Sequence, residues 1–300
     1  MKPYWQLIRI HHWIKNGLIF LPLFFSGQFF DMALLIKNLL GFLAFSLTAS
    51  LIYIINDVYD VENDRKHPIK SLRPIASGAV ALNQAYTAAG VVLALALSLN
   101  FLTNNISGIN AIGDNFNKAA SWAILGAYLV LNYTYSRGLK DVPLMDIAIL
   151  VSGFILRVLY GATISNIQAS HWLYLTVIAL SFYMGLGKRR NEIIKQGKDA
   201  RGVLKHYNYN FLDKNMYMCL ALTIIFYALW TVDTATIARY GTYNLIWTVP
   251  VVMLICMKYS LNIEQSSHGD PVDVVLGDKV LLGLILLFLI IMLVIIYFLA

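Results

Sequence analysis

The sequence predicts an all-α integral membrane protein with about nine transmembrane helices. Three observations carry that prediction. Of its 300 residues, 59% are hydrophobic and only 13% are charged, against about 25% charged in a soluble globular domain. The apolar residues fall in runs of about 20, the length a helix needs to cross a hydrocarbon core roughly 30 Å thick. The last run, Val280 to Ala300, carries no charge. In lipid such runs are helical, because every backbone N–H and C=O needs a partner inside the segment.

In chain order the candidate spans are about 17–35, 39–56, 79–102, 119–135, 143–164, 172–187, 215–233, 243–260 and 280–299. The first is the least regular, because it holds Pro22, Gly27 and Gln28. No linker, low-complexity stretch or short repeat divides the chain. Residues 1–300 therefore read as one membrane-embedded domain, with 1–16 as an interfacial N-terminal segment and 188–214 as a cytoplasmic loop. The polar, aromatic start has no short apolar core followed by a small-residue cleavage site, so it reads as mature protein. Cys219 and Cys256 lie inside apolar runs and suggest neither a disulfide framework nor a zinc site. The six histidines show no metal-ligand spacing.

The net charge of +7 could suggest nucleic acid, but its distribution argues for a membrane. With the N-terminus in the cytoplasm and nine alternating spans, 19 of the 23 Lys and Arg face the cytoplasm and three face the other side. That asymmetry predicts a multi-pass protein of the cell (inner) membrane. Part of the basic charge serves equally well to anchor loops to anionic lipid. Most acids fall on the same face, which the positive-inside bias does not require. A face rich in both signs suggests a polar reaction chamber, and the apolar runs exclude a soluble nucleic-acid binder.

The sharpest local feature is Asn56-Asp57-x-x-Asp60-x-x-x-Asp64 at the end of an apolar run. Spacings of three and four put the carboxylates on one face of a helix. Three such groups repel one another unless a cation sits between them, and hard oxygen ligands suit Mg²⁺ bridged to substrate phosphates. The alternative is a solvated helix end. Next comes the basic run Arg65-Lys66-His67-Pro68-Ile69-Lys70-Ser71-Leu72-Arg73-Pro74, a loop punctuated by prolines. Beside a metal, Arg65, Lys70 and Arg73 would contact phosphate oxygens; each could also be a plain cytoplasmic anchor. Trp5 and Trp13 read as interfacial anchors. Asp146 opens the fifth span and Arg157 follows eleven residues later on the same face. They are about 16 Å apart at 1.5 Å per residue, too far to pair. An ionisable residue inside a span is a functional candidate, with a buried structural ion as the alternative for Arg157.

Asn56-Asp57-x-x-Asp60-x-x-x-Asp64 with Pro68, Arg73-Pro74 and Ser77-Gly78 resembles the first aspartate motif of the UbiA-type prenyltransferase superfamily. Within it, the chain is most similar to the decaprenyl-phosphate phosphoribosyltransferases. That resemblance runs through Arg9-x-x-x-Trp13-x-Lys15-Asn16 and Tyr135-Ser136-x-x-Leu139-Lys140 with Asp146. It continues through Ser152-Gly153-Phe154-x-x-Arg157-x-x-x-Gly161 and Gly187-Lys188-Arg189-x-x-Glu192. It ends at Asp270-Pro271-x-Asp273-x-x-Leu276-x-Asp278. It implies a UbiA-type bundle with a cytoplasm-facing active site and a membrane-bound, Mg²⁺-dependent enzyme. That enzyme transfers 5-phosphoribose from phosphoribosyl diphosphate to a polyprenyl phosphate and releases diphosphate, for cell-envelope polysaccharide precursors.

The implied metal site is Asn56, Asp57, Asp60 and Asp64, the three aspartates being catalytic. The implied substrate contacts are Lys15, Asn56, Arg65, Lys70, Arg73, Tyr135, Lys140, Asp146, Arg157, Lys188, Arg189 and Glu192. Prenyl-diphosphate users commonly carry a second aspartate-rich motif near the sixth span. Here that position reads Lys188-Arg189-Arg190-Asn191-Glu192, whose cations suit a substrate with an additional phosphate. The competing readings are a prenyltransferase acting on an aromatic or other small acceptor and, from another class, a transporter or lipid-binding scaffold. Oligomeric state is open.

Overall fold

The structure is a computed structural model that describes residues 2–66, 68, 70–106, 114–197, 201–265 and 271–299. His67, Ile69, Asp270 and Ala300, named above, lie outside the described residues. Every regular element among those described is helical. Six helical segments are long and apolar enough to cross a membrane. They are α3 (Met32–Tyr59), α5 (Leu82–Asn105), α7 (Met145–Ser165), α9 (Tyr209–Val232), Asn244–Gln265, which contains α11 (Val249–Gln265), and α13 (Lys279–Phe298). Two further helices, α6 (Asp114–Arg137) and α8 (His171–Gln196), are as long but more polar toward their ends. Shorter helices are α1 (Lys2–Leu7), α2 (Leu21–Phe24), α4 (Val61–Arg65), α10 (Thr234–Tyr240) and α12 (Pro271–Leu276). The chain is thus an all-α, multi-pass membrane protein.

Two boundaries differ from the sequence reading. The expected first span, 17–35, is not one helix. A 3₁₀ helix over Ile10–Phe20 runs into α2, which ends before Gly27 at φ +79°, and α3 begins at Met32. Asp31 sets that start: its carboxylate accepts the Ala33 and Leu34 amides at 2.9 and 3.1 Å, filling the donor positions that open a helix. The second difference is at 188–214, expected as a loop. Helix α8 continues to Gln196 and stops at Gly197, whose φ of +77° suits a residue without a Cβ.

The chain divides into two compact units: Met1–Arg137 with Leu156–Gln168, and Gly138–Ile155 with Ala169–Ala300. In the first, Leu7, Ile54, Val61, Ile75 and Val80 pack in one buried cluster. This cluster ties α1, the end of α3, α4 and the loop after α4 into one patch, with Ile54 just before the aspartate motif and Val61 within it. At 1.5 Å per residue the 28 residues of α3 span about 42 Å. That exceeds a hydrocarbon core of roughly 30 Å, and the last turn of the helix carries Asn56 and Asp57, the first residues of the motif. In the second unit, Ile147, Tyr183, Val203, Leu204, Tyr207 and Leu212 belong to one buried cluster. It fixes the turn between α8 and α9 against the start of α7.

Candidate active site

The aspartate motif spans a helix junction. α3 ends at Tyr59 and α4 starts at Val61, yet helical hydrogen bonding continues from Asp60 N to Asn56 O and from Asp64 N to Asp60 O. Asp57 and Asp64 keep the common side that their spacing predicts, since both meet Arg73. Their environments differ. Asp57 and Asp64 are buried, each 2% exposed, while Asn56 and Asp60 are half-buried. Among the described residues the Asp60 carboxylate meets no hydrogen-bond or ion-pair partner.

Both buried carboxylates are held by guanidinium groups. Arg73 Nη1 lies 3.1 Å from Asp57 Oδ1 and 2.7 Å from Asp64 Oδ2. Arg9 Nη2 lies 2.6 Å from the same Asp57 oxygen. The buried Leu7 and Ile75 place both arginines by anchoring α1 and the loop after α4. Arg9 sits at φ +51°, a left-handed conformation rare for a residue with a side chain. Its guanidinium lies 4.7 Å from the centre of the Tyr53 ring.

The chemistry of this donor set fits a hard dication. It is all oxygen, and one nitrogen of Arg73 already marks a point where a positive group touches two carboxylates at once. With the arginines in place, no three His, Cys, Asp or Glu side chains gather at ligand distances among the described residues.

Elsewhere in the first unit, Arg157 is buried. Its Nε donates to Asn16 Oδ1 at 2.7 Å and its Nη2 to the Tyr128 hydroxyl at 3.1 Å, and it stacks 5.1 Å from the Phe45 ring. Asn16 in turn donates to Ser46 Oγ at 2.8 Å. Gly161 brings α7 against the backbone of Ile19, where a Cβ would come 2.0 Å from the carbonyl oxygen. These contacts fix the segment that carries Lys15, which is half-buried. Tyr135 is half-buried in the last turn of α6. Arg65 pairs with Glu62 at 2.9 Å on the surface, and Lys70 is exposed.

The second unit holds a closed polar network. Asp146, fully buried in the first turn of α7, accepts from Arg189 Nε at 2.6 Å and from the Tyr207 hydroxyl at 2.7 Å. Arg189 Nη1 donates to both oxygens of Glu192, at 2.9 and 2.7 Å. The Leu144 amide donates to the Tyr207 oxygen at 2.6 Å. Burial first, and the bond to Asp146 second, push the Tyr207 hydroxyl up to about 12. Arg190 pairs with Asp213 at 2.8 Å and Glu264 at 2.7 Å, and it also donates to Tyr209. Arg189 and Arg190, read as cations for an additional phosphate, are therefore both paired with carboxylates of the chain: Asp146 is buried, Glu192 and Asp213 are half-buried and Glu264 is exposed. Lys140, in the 3₁₀ turn Leu139–Asp141, and Lys188 are half-buried.

The sequence reading placed no site role on Arg9 or Tyr207. Arg9 was visible in the first motif, but its partner stands 48 residues away. Nothing local marks Tyr207, whose partner is 61 residues distant.

A family model described as the UbiA prenyltransferase family matches residues 20–275. A decaprenyl-phosphate phosphoribosyltransferase of Corynebacterium glutamicum is 33% identical, over 92% of this chain and 81% of that one. Its counterpart from Mycolicibacterium smegmatis is 31% identical, over 92% and 86%. Among solved structures, a UbiA homolog from Archaeoglobus fulgidus bound to GPP and Mg²⁺ superimposes with a TM-score of 0.69. It covers 98% of this chain and 99% of that one at 19% identity, a likeness of fold.

Proposed function

This chain belongs to the UbiA prenyltransferase family and is a membrane transferase; from that premise we propose that it transfers 5-phosphoribose from phosphoribosyl diphosphate to a polyprenyl phosphate. The observation that carries the choice of donor and acceptor is its likeness, at 33% identity over 92% of the chain, to a decaprenyl-phosphate phosphoribosyltransferase. The carboxylate–guanidinium cluster supports the diphosphate half of the reading. It offers ligands for a dication and cations for phosphate oxygens within one patch.

Asp57, Asp60 and Asp64, with Asn56, would hold Mg²⁺. When bound there the ion would offset charge building on the departing diphosphate. Arg73 and Arg9 are placed to donate hydrogen bonds to that diphosphate as the anomeric C–O bond weakens. The lipid phosphate is already anionic, so its oxygen can bond to the ribosyl carbon without a strong general base. One C–O bond forms, one breaks, and diphosphate leaves with the electron pair. Lys15, Arg65 and Lys70 would add phosphate contacts, and the resemblance extends substrate roles to Tyr135, Lys140, Lys188 and Glu192. Arg157, Asp146 and Arg189 would act mainly by holding their neighbours in place. The active face would be cytoplasmic, where a basic surface favours arrival of an anionic donor.

A label-transfer assay tests this. Purified protein in detergent receives phosphoribosyl diphosphate labelled in the ribose, a polyprenyl phosphate and Mg²⁺. Label should enter the organic phase, and EDTA or Asp60→Ala should abolish it. Turnover of a prenyl diphosphate with an aromatic acceptor, and no ribose transfer at any lipid chain length, would replace this reading with a prenyl-donor one.

A further inference from the structure

The carboxylate cluster is already served by cations of the chain itself. Asp57 and Asp64 face two guanidinium groups, and one nitrogen of Arg73 bridges these two buried acids. A dication arriving alone would have to approach Asp57 and Asp64 through those positive groups. Like charges a few ångströms apart in a poorly screened site strongly disfavour one another.

The two arginines are held differently. Arg9 is fixed by its left-handed backbone, by the Tyr53 ring under its guanidinium and by the packing of Leu7. Arg73 comes from the loop after α4, where the only regular structure among the described residues is the short 3₁₀ turn Lys70–Leu72, and its side chain remains 29% exposed. Arg73 can exchange its partners; Arg9 keeps Asp57 paired while it does so.

We propose that Arg73 is an exchangeable internal counter-ion: it neutralises Asp57 and Asp64 in the free protein and moves onto diphosphate oxygens when metal and diphosphate arrive together. The proposal rests on the metal–diphosphate reading above and adds an order to it. Diphosphate gives the released guanidinium a bidentate acceptor, and its departure from the carboxylates opens them to the metal. Metal and diphosphate therefore promote each other's binding by the same factor. No covalent bond changes in this exchange.

The test is equilibrium dialysis of the purified full chain with radiolabelled Mn²⁺ and radiolabelled inorganic diphosphate, together and separately. In the wild-type protein each ligand should raise the other's affinity about tenfold or more, the usual size of a site–site coupling. Arg73→Gln should bind Mn²⁺ alone about tenfold more tightly than wild type and lose most of the coupling. Equal Mn²⁺ affinity with and without diphosphate in the wild-type protein overturns the proposal, and this arm needs no variant to fold. Unchanged solitary Mn²⁺ affinity in a folded Arg73→Gln overturns it as well. Uncoupled Mn²⁺ binding that Asp60→Asn abolishes removes the counter-ion role alone. No uptake of Mn²⁺ or diphosphate under any condition removes the metal–diphosphate reading together with it.

Discussion

Arg157 Nε donates a 2.7 Å hydrogen bond to Asn16 Oδ1, joining residues 141 positions apart in the chain. Both side chains are buried. The bond makes one packed unit of two sequence motifs that look independent, Arg9…Asn16 and Arg157…Gly161. A charge inside a span is costly unless it is well partnered, and here the amide, the Tyr128 hydroxyl and two aromatic faces supply the partners.

Arg157→Met keeps much of the bulk but leaves Asn16 Oδ1 and the Tyr128 hydroxyl short of a donor. Loss of charged hydrogen bonds in a buried site should lower stability by about 2–3 kcal/mol, read as a lower melting temperature in detergent. Combining it with Asn16→Ala should cost less than the two single changes added together, because they share one contact. Strict additivity would contradict the pairing.

Gly161→Ala tests the close approach of α7 to Ile19. Alanine favours a helix over glycine by about 1 kcal/mol. That gain is small beside a Cβ forced to 2.0 Å from a backbone oxygen that no rotamer change can move. The variant should be less stable by about 3 kcal/mol or should fail to fold. A melting temperature at or above wild type would refute the contact.

Asp57 and Asp60 should separate stability from turnover. Asp60→Asn removes a charge with no partner among the described residues, so the melting temperature should stay near wild type while ribose transfer falls about 100-fold or more. Asp57→Asn leaves Arg9 and Arg73 facing a neutral amide. It should lose both transfer and about 3 kcal/mol of stability.

Tyr207 gives a pH signature. Its folded-state hydroxyl is raised to about 12 from an ordinary value near about 10. The folded state thus prefers the protonated phenol more than the unfolded state does. Its contribution to stability is complete below pH 10 and fades as the pH climbs to about 12. Tyr207→Phe should be less stable at pH 8 and should lose less between pH 10 and 12 than wild type does. Parallel melting curves across that range would exclude a shifted Tyr207.

The parts of the fold legible in the sequence are those governed by near neighbours. The apolar runs give the helices, and the seven-residue spacing of Asp57 and Asp64 gives their common side. Pro68 and Pro74 mark the loop that carries Arg73. Asp31 and Gly27 mark a cap and a turn, but the apolar run through 17–35 outweighs both in the sequence and hides the break. Arg189 and Arg190 look like free cations when read along the chain. Glu192, three residues on, hinted at one partner, while Asp146 and Asp213 are joined to them only by folding. Arg9 and Tyr207 acquire their roles from partners dozens of residues away, where no local spacing rule applies.

Asn16 meets Arg157, and Asn38 meets Ser165 at 2.6 Å, so residues near the start of the chain depend on partners near its middle. At a synthesis rate of about 5–20 residues per second, roughly 7–30 s separate the emergence of Asn16 from that of Arg157. During that interval the N-terminal segment lacks its lock. A nascent chain halted before α7 should therefore expose residues 10–24 to proteases and to the insertion machinery, and release of the stall should protect them.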